Sequence, residues 1–317
     1  MLSDRALGVM LPRDLPAARV AEFARRAEAL GFDELWFVED CFFRGGIAQA
    51  AVALAVTDRI HVGVGILPAA ARNAAFAALE IATLAELFPG RITVGIGHGM
   101  PEWMRQVGAW PSSPLAMLEE TITAVTEMLR GTTVSVEGRY VQLRDVALDS
   151  PPAVPPLILA GVRGPKSLAV SGRVADGTVL AEPVTPEYLA QALRQVDASG
   201  PHRIVSYNVG AVHPDAAAAR HIARSSLGAI GEPDWRVHID PLPFASEFRA
   251  LRETFPTGAE FAAALPDEWV DQLAVVGTPA TARARLEELF AAGAHCVVLI
   301  PAGSDPFAAL ESIAALV

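Results

Sequence analysis

Eight times along this chain an apolar run of four to ten residues is followed by a helical pattern, and that rhythm constrains the fold more than any other feature. The runs are Leu7–Leu11, Glu34–Val38, Ile60–Leu67, Ile92–Gly97, Leu157–Ala160, Gly177–Ala181, Arg203–Val212 and His295–Ile300. Between and after them lie segments with apolar residues at helical spacing, among them 15–30, 47–56, 73–87, 114–129, 166–174, 186–196, 216–230, 278–292 and 306–316. Asn73 is placed to cap one helix, and Pro89-Gly90 to end it. Thr278 with Pro279 reads as an N-cap followed by proline at the first helical position.

Eight strands alternating with helices predict an α/β fold, a (β/α)8 TIM barrel with insertions. The chain of 317 residues suits one such barrel, taken here as a single domain over 1–317. An open doubly wound sheet is the alternative, but no dinucleotide-type glycine fingerprint follows the first strand. The rhythm breaks twice. Residues 132–150 alternate around Glu137-Gly138 and predict a hairpin insertion. Residues 232–272, interrupted by Pro233, Pro241, Pro243 and Pro256, predict an irregular insertion near the barrel mouth.

Composition narrows the partners. A net charge of −11 argues against nucleic acid or an anionic membrane as partner. No apolar stretch reaches the roughly 18 residues of a membrane span. Two cysteines, Cys41 and Cys296, imply no disulfide framework. With no signal-peptide pattern at the start, a cytoplasmic location is expected.

In such a barrel, chemistry belongs at the C-terminal ends of the strands. The fifth strand runs into Gly161, Val162, Arg163, Gly164, Pro165, Lys166 and Ser167, and Lys166 is the only lysine in the chain. A cation at a helix start is opposed by the helix dipole unless an anion lies between them. The turn therefore reads as a phosphate cradle, with free backbone N–H groups converging on the anion. Gly63 and Gly65 end the third strand, and Gly97 and Gly99 flank His98 at the end of the fourth. Three successive glycine-bearing strand ends suggest close approach of a planar ring.

Glu39, Asp40 and His98 are the candidate proton-handling groups, and Glu182 ends the sixth strand. Glu102 and Trp103 are candidates for lining the substrate pocket. No metal-ligand spacing is present.

Several strings carry a family resemblance: Leu-Trp-Phe-Val-Glu-Asp (35–40), Val-Gly-Val-Gly-Ile-Leu-Pro (62–68), Ala-Thr-Leu-Ala-Glu-Leu-Phe-Pro-Gly-Arg (82–91) and Val-Gly-Ile-Gly-His-Gly (94–99). Gly-Val-Arg-Gly-Pro-Lys-Ser-Leu (161–168), Gly-Arg-Val-Ala-Asp-Gly (172–177) and Val-Val-Gly-Thr-Pro (275–279) follow in order. The chain resembles the bacterial-luciferase-like superfamily, and within it the methylenetetrahydromethanopterin reductases.

The resemblance implies an oxidoreductase using the deazaflavin coenzyme F-420, or alternatively FMN as a two-component monooxygenase served by a flavin reductase. A non-catalytic flavin-binding relative is a third reading. The resemblance also implies a small-molecule substrate, and a homodimer formed through the early helices. It further implies a bulge at Gly65-Ile66, often with a non-prolyl cis bond, backing the cofactor ring. Where the reductases carry Asp-His this chain has Glu39-Asp40, and Met10 and Met100 stand where they carry acids. The cofactor frame is kept and the substrate-facing groups differ.

Overall fold

The structure, a computed structural model, describes residues 3–317. Its strands are β1 (Ala6–Met10), β2 (Glu34–Phe37), β3 (His61–Pro68), β4 (Ile92–Gly97), β5 (Val134–Glu137), β6 (Gln142–Val146), β7 (Leu157–Gly161), β8 (Gly177–Leu180), β9 (Arg203–Val212), β10 (Val275–Gly277) and β11 (Cys296–Pro301). Eight of them close a parallel barrel in the order β1-β2-β3-β4-β7-β8-β9-β11, and β11 returns to β1. The predicted (β/α)8 architecture is therefore the observed one.

β10 was not anticipated. Three residues are too few to establish a periodic signal, and Val275–Gly277 becomes a strand only by pairing with the end of β9. β5 and β6 form an antiparallel hairpin outside the barrel. Residues 228–273 are less irregular than their prolines suggest. They form short helices, including Ala245–Glu253, Gly258–Ala263 and Asp267–Leu273, around a second apolar cluster with Phe248, Phe261 and Trp269.

Two layers of apolar packing hold the barrel. The outer one joins strands to helices. The inner one, with Met10, Trp36, Leu159, Val179, Val205, Tyr207 and Val298, fills the lumen, so the barrel is a packed core and not a pore. Helix starts follow local chemistry. Asn73 accepts from Ala75 N at 2.9 Å and Thr278 from Thr281 N at 3.3 Å, each satisfying an otherwise unpaired N–H of the first turn. No helix among the described residues is long and apolar enough to cross a membrane.

Candidate cofactor and active site

The mouth is built from the loops that follow β2, β3, β4, β7 and β8. At β3 the register with β4 shifts between Gly65 and Leu67, and the Gly65–Ile66 peptide is cis. This bulge turns the Ile66 side chain over the neighbouring strands. A Cβ on Gly97 would lie 2.2 Å from Ile66, and one on Gly161 would lie 2.1 Å from it.

The glycines at the strand ends therefore do not line open space, which corrects the expectation drawn from them. A Cβ on Gly63 would strike Trp36 at 2.2 Å, and one on Gly65 would meet the Tyr207 hydroxyl at 2.1 Å. Gly63 is a packing residue of the lumen, where bulky side chains from neighbouring strands must fit. Gly99, with φ of +70°, serves a turn that L side chains rarely adopt. Ile66, half-buried, forms the floor with Tyr207, whose hydroxyl donates to the Gly65 carbonyl at 3.4 Å.

The turn after β7 differs. Space beyond Gly164 is open. The ten-residue helix Pro165–Val174 begins there with no side-chain cap. Lys166 is exposed in its first turn and makes no ion pair among the described residues. Ser167 lies beside it, its hydroxyl 2.9 Å from His98 Nε2. Arg163 is held between Trp235, 4.6 Å beneath its guanidinium, and Met100 Sδ at 3.6 Å. Its Nη1 is buried with no acceptor, an orphan that calls for a partner. Uncapped N–H groups, a free lysine, a hydroxyl and an unsatisfied guanidinium together fit a phosphate group. Val162 and Pro165 supply the shape of the turn: the first is buried, the second exposed at the helix start.

The structure sorts the acidic candidates. Both oxygens of Glu39 are taken by Arg72, at 2.5 and 2.8 Å, and Oε2 also accepts from Gly46 N at 2.7 Å. Glu39 thereby ties the β2 loop to the start of the next helix and to the β3 loop, leaving no free carboxyl for acid–base work. Asp40 is paired more loosely with exposed Arg13, at 2.9 Å. Glu182 has no side-chain partner. Burial pushes its carboxyl above the usual carboxylate range and nearby Asp40 adds to the rise, against its own backbone N–H, Arg163 and Arg13. His98 is pushed down by burial, partly offset by a hydrogen bond to the Pro114 carbonyl. Glu102 is exposed and Trp103 half-buried on the short helix Pro101–Gln106.

Sequence reasoning passed over Arg72, Tyr207 and Asn208, and left the insertion residues Trp235 and His238 open between packing and recognition. Trp235 Nε1 donates to the Glu182 carbonyl at 2.8 Å, and His238 Nδ1 to that of Pro183 at 3.2 Å. The insertion is thus pinned across the end of β8. Asn208 Oδ1 and His238 Nε2 are buried and unpartnered. The tryptophan and histidine were visible in the sequence, but nothing local separated recognition from packing.

Comparison with known proteins fits this geometry. The sequence profile described as luciferase-like monooxygenase matches residues 4–296. The chain belongs to that family. Among relatives of this luciferase-like protein, the 5,10-methylenetetrahydromethanopterin reductase of Methanolobus tindarius is 29% identical, covering 93% of this chain and 92% of its own. The F-420-dependent tetrahydromethanopterin reductase of Methanopyrus kandleri superposes with a TM-score of 0.84 at 20% identity, over 99% of this chain and 98% of that one. An F-420-dependent secondary alcohol dehydrogenase, solved with an F-420–acetone adduct, gives 0.78 at 20% identity, each chain covered fully at 100%. At these identities the two structures establish the shared fold of the luciferase-like protein.

Proposed function

We propose that this luciferase-like protein is an oxidoreductase that uses coenzyme F-420 to move a hydride to or from a small organic substrate, in the manner of a 5,10-methylenetetrahydromethanopterin reductase. The observation that carries the reading is the end-to-end likeness to such a reductase, 29% identity over 93% of the chain. The turn after β7 supports it, because its uncapped helix start, its unpaired Lys166 and the orphan Nη1 of Arg163 offer what a phosphate-bearing cofactor needs.

The deazaflavin would supply the hydride chemistry, and the protein would supply position and polarity. The side chains of Lys166, Ser167 and Arg163, with the N–H groups of Arg163, Gly164, Lys166 and Ser167, would hold the phosphate; the Val162 N–H, expected to join them, is spent on the Val179 carbonyl. The Gly65–Ile66 bulge, with Gly97 beneath Ile66, would support the ring. Glu182, unpartnered, and Asp40, held only by the exposed Arg13, are the acids that would handle a proton at the mouth, whereas Glu39, clamped by Arg72, would hold the loop. We assign the protein to the cytoplasm. We also assign it to a homodimer formed through the helix Ala74–Leu87, which exposes Phe76, Leu79 and Leu87.

The family's own description favours a second reading, an FMN-dependent monooxygenase fed by a partner flavin reductase. Equilibrium titration of the purified protein with F-420 and, separately, with FMN tests the two. Tight F-420 binding that weakens in Lys166→Ala supports the first reading, and preference for FMN moves the protein to the second. Binding of neither removes the cofactor assignment altogether.

A further inference from the structure

His98 stands at the end of β4, where a proton-transfer residue would be expected, yet its ring is engaged by a neighbouring hydroxyl. Nε2 lies 2.9 Å from the Ser167 hydroxyl. The ring's other side faces the carbonyl of Pro114, the first residue of the helix Pro114–Leu129. Proline offers an acceptor and no N–H, so the tautomer with its hydrogen on the nitrogen facing it is the favoured one. In the neutral imidazole Nε2 is then the acceptor, and Ser167 donates its only hydrogen to it. A serine so engaged turns lone pairs, not its hydrogen, toward the open side of the turn. Protonating His98 reverses the bond: Nε2 donates, Ser167 accepts, and the hydroxyl hydrogen is released toward an anion.

We propose that His98 is a positioning residue of the phosphate cradle, setting the Ser167 hydroxyl against the cofactor's phosphate and taking up a proton as that phosphate binds. The inference rests on the cofactor reading above. The groups facing His98 are the Ser167 hydroxyl, from the helix after β7, and the Pro114 carbonyl, from the helix after β4. Lys166 and Arg163 are the charged side chains of the same turn. Burial keeps the ring neutral before the anion arrives, with the Pro114 carbonyl opposing. An anion beside Ser167 favours the cationic ring, so the two events are linked. No bond to substrate is made or broken by His98 in this role. Its proton comes from solvent and returns there when the cofactor leaves.

The test compares two probes, F-420 and its phosphate-free deazaflavin riboside. They share the ring and its titration, so the ratio of their dissociation constants reports the phosphate-bearing side arm, whose carboxylates, with pKa values of about 4, stay ionised throughout the range used. In the wild type that ratio should favour F-420 increasingly as pH falls from 8 to 6, with proton uptake seen by calorimetry in buffers of different ionisation enthalpy. His98→Gln, which can still donate to the Pro114 carbonyl, should abolish the pH dependence. His98→Ala and Ser167→Ala should each weaken F-420 by about tenfold, the scale of one hydrogen bond to a charged group, and leave the riboside unchanged. The double variant should lose no more than either single one.

Equal weakening of both probes, or a pH dependence that survives His98→Gln, overturns the proposal. If wild type binds the two probes equally, the phosphate cradle itself is wrong and the proposal falls with it. Should the protein take FMN instead, FMN and riboflavin serve as the pair, and the variants are compared at fixed pH.

Discussion

The two ends of the barrel treat buried polar groups in opposite ways. At the bottom, Glu34 and Arg203, both almost wholly buried, meet at 2.6 Å. Trp36 Nε1 donates to the other oxygen of Glu34 at 2.8 Å, and Arg203 also reaches the Ser3 carbonyl at 3.1 Å. His61 Nε2 lies 2.8 Å from the Thr93 hydroxyl. At the mouth, Arg163 Nη1, Asn208 Oδ1 and His238 Nε2 are buried without partners, and Glu182 has no side-chain partner. Polar groups in a low-dielectric interior are normally satisfied. A closed network at one end and open valences at the other distinguish the part that holds the fold from the part proposed here to receive a ligand.

The largest effect expected from this contrast is at the bottom. Glu34→Ala leaves the Arg203 charge buried and unpaired, and should cost about 3–5 kcal/mol of unfolding free energy. Denaturant melts measure it. A loss below about 1 kcal/mol, the range of exposed pairs, would remove the distinction between the two ends.

Acid should act next. Burial is the main cause that holds His61 down to about 4 and His238 to about 3, from an ordinary 6.5. The unfolded chain therefore binds protons first. Their contribution to stability is constant well above pH 6.5 and falls below it, by up to about 1.4 kcal/mol per pH unit for each histidine, until the folded-state values are reached. Thermal melts between pH 7 and 4.5 check the sign. His61→Gln should flatten part of the decline, and an unchanged slope would take the bottom histidine out of the account.

At the mouth, Lys166→Ala should spare stability, because the side chain is exposed. It should weaken a phosphate-bearing cofactor by about 1.5–3 kcal/mol, the scale of a charged hydrogen bond, as read by fluorescence titration. A fall in stability with no change in affinity would reverse the assignment of this end. The smallest effect is expected from Trp235→Phe, which keeps a ring under Arg163 but removes the donor to the Glu182 carbonyl. A loss of about 1 kcal/mol is expected, with hydrogen exchange rising first in the segment 232–240.

Much of the fold was legible because it is local. The reading of β4 as Ile92–Gly97 and of β9 as Arg203–Val212 matches the structure residue for residue. Continuous apolar runs bounded by glycine, proline and capping residues leave little freedom. The bulge at Gly65–Ile66 was reached through family resemblance, and the structure has it. Glu39 shows the limit. Its sequence neighbourhood presents a carboxylate at a strand end, and nothing near it reveals the arginine that clamps it from 33 residues away. The glycines misled for a related reason. A missing Cβ signals close approach but does not say by what, and here Trp36, Tyr207 and Ile66 supply it.

The sequence by itself determined the alternation, the caps and the position of the glycine-rich turn after β7, since each depends on backbone preferences and on periodicities of a few residues. Tertiary structure alone decided the pairings. His98 meets Ser167 across 69 residues, Trp235 meets the Glu182 carbonyl across 53, and Arg203 meets Glu34 across 169. Barrel closure sets those distances. The role of a side chain in a site follows from which of its hydrogen bonds are already taken, and that is known only once the strands that carry the partners stand side by side.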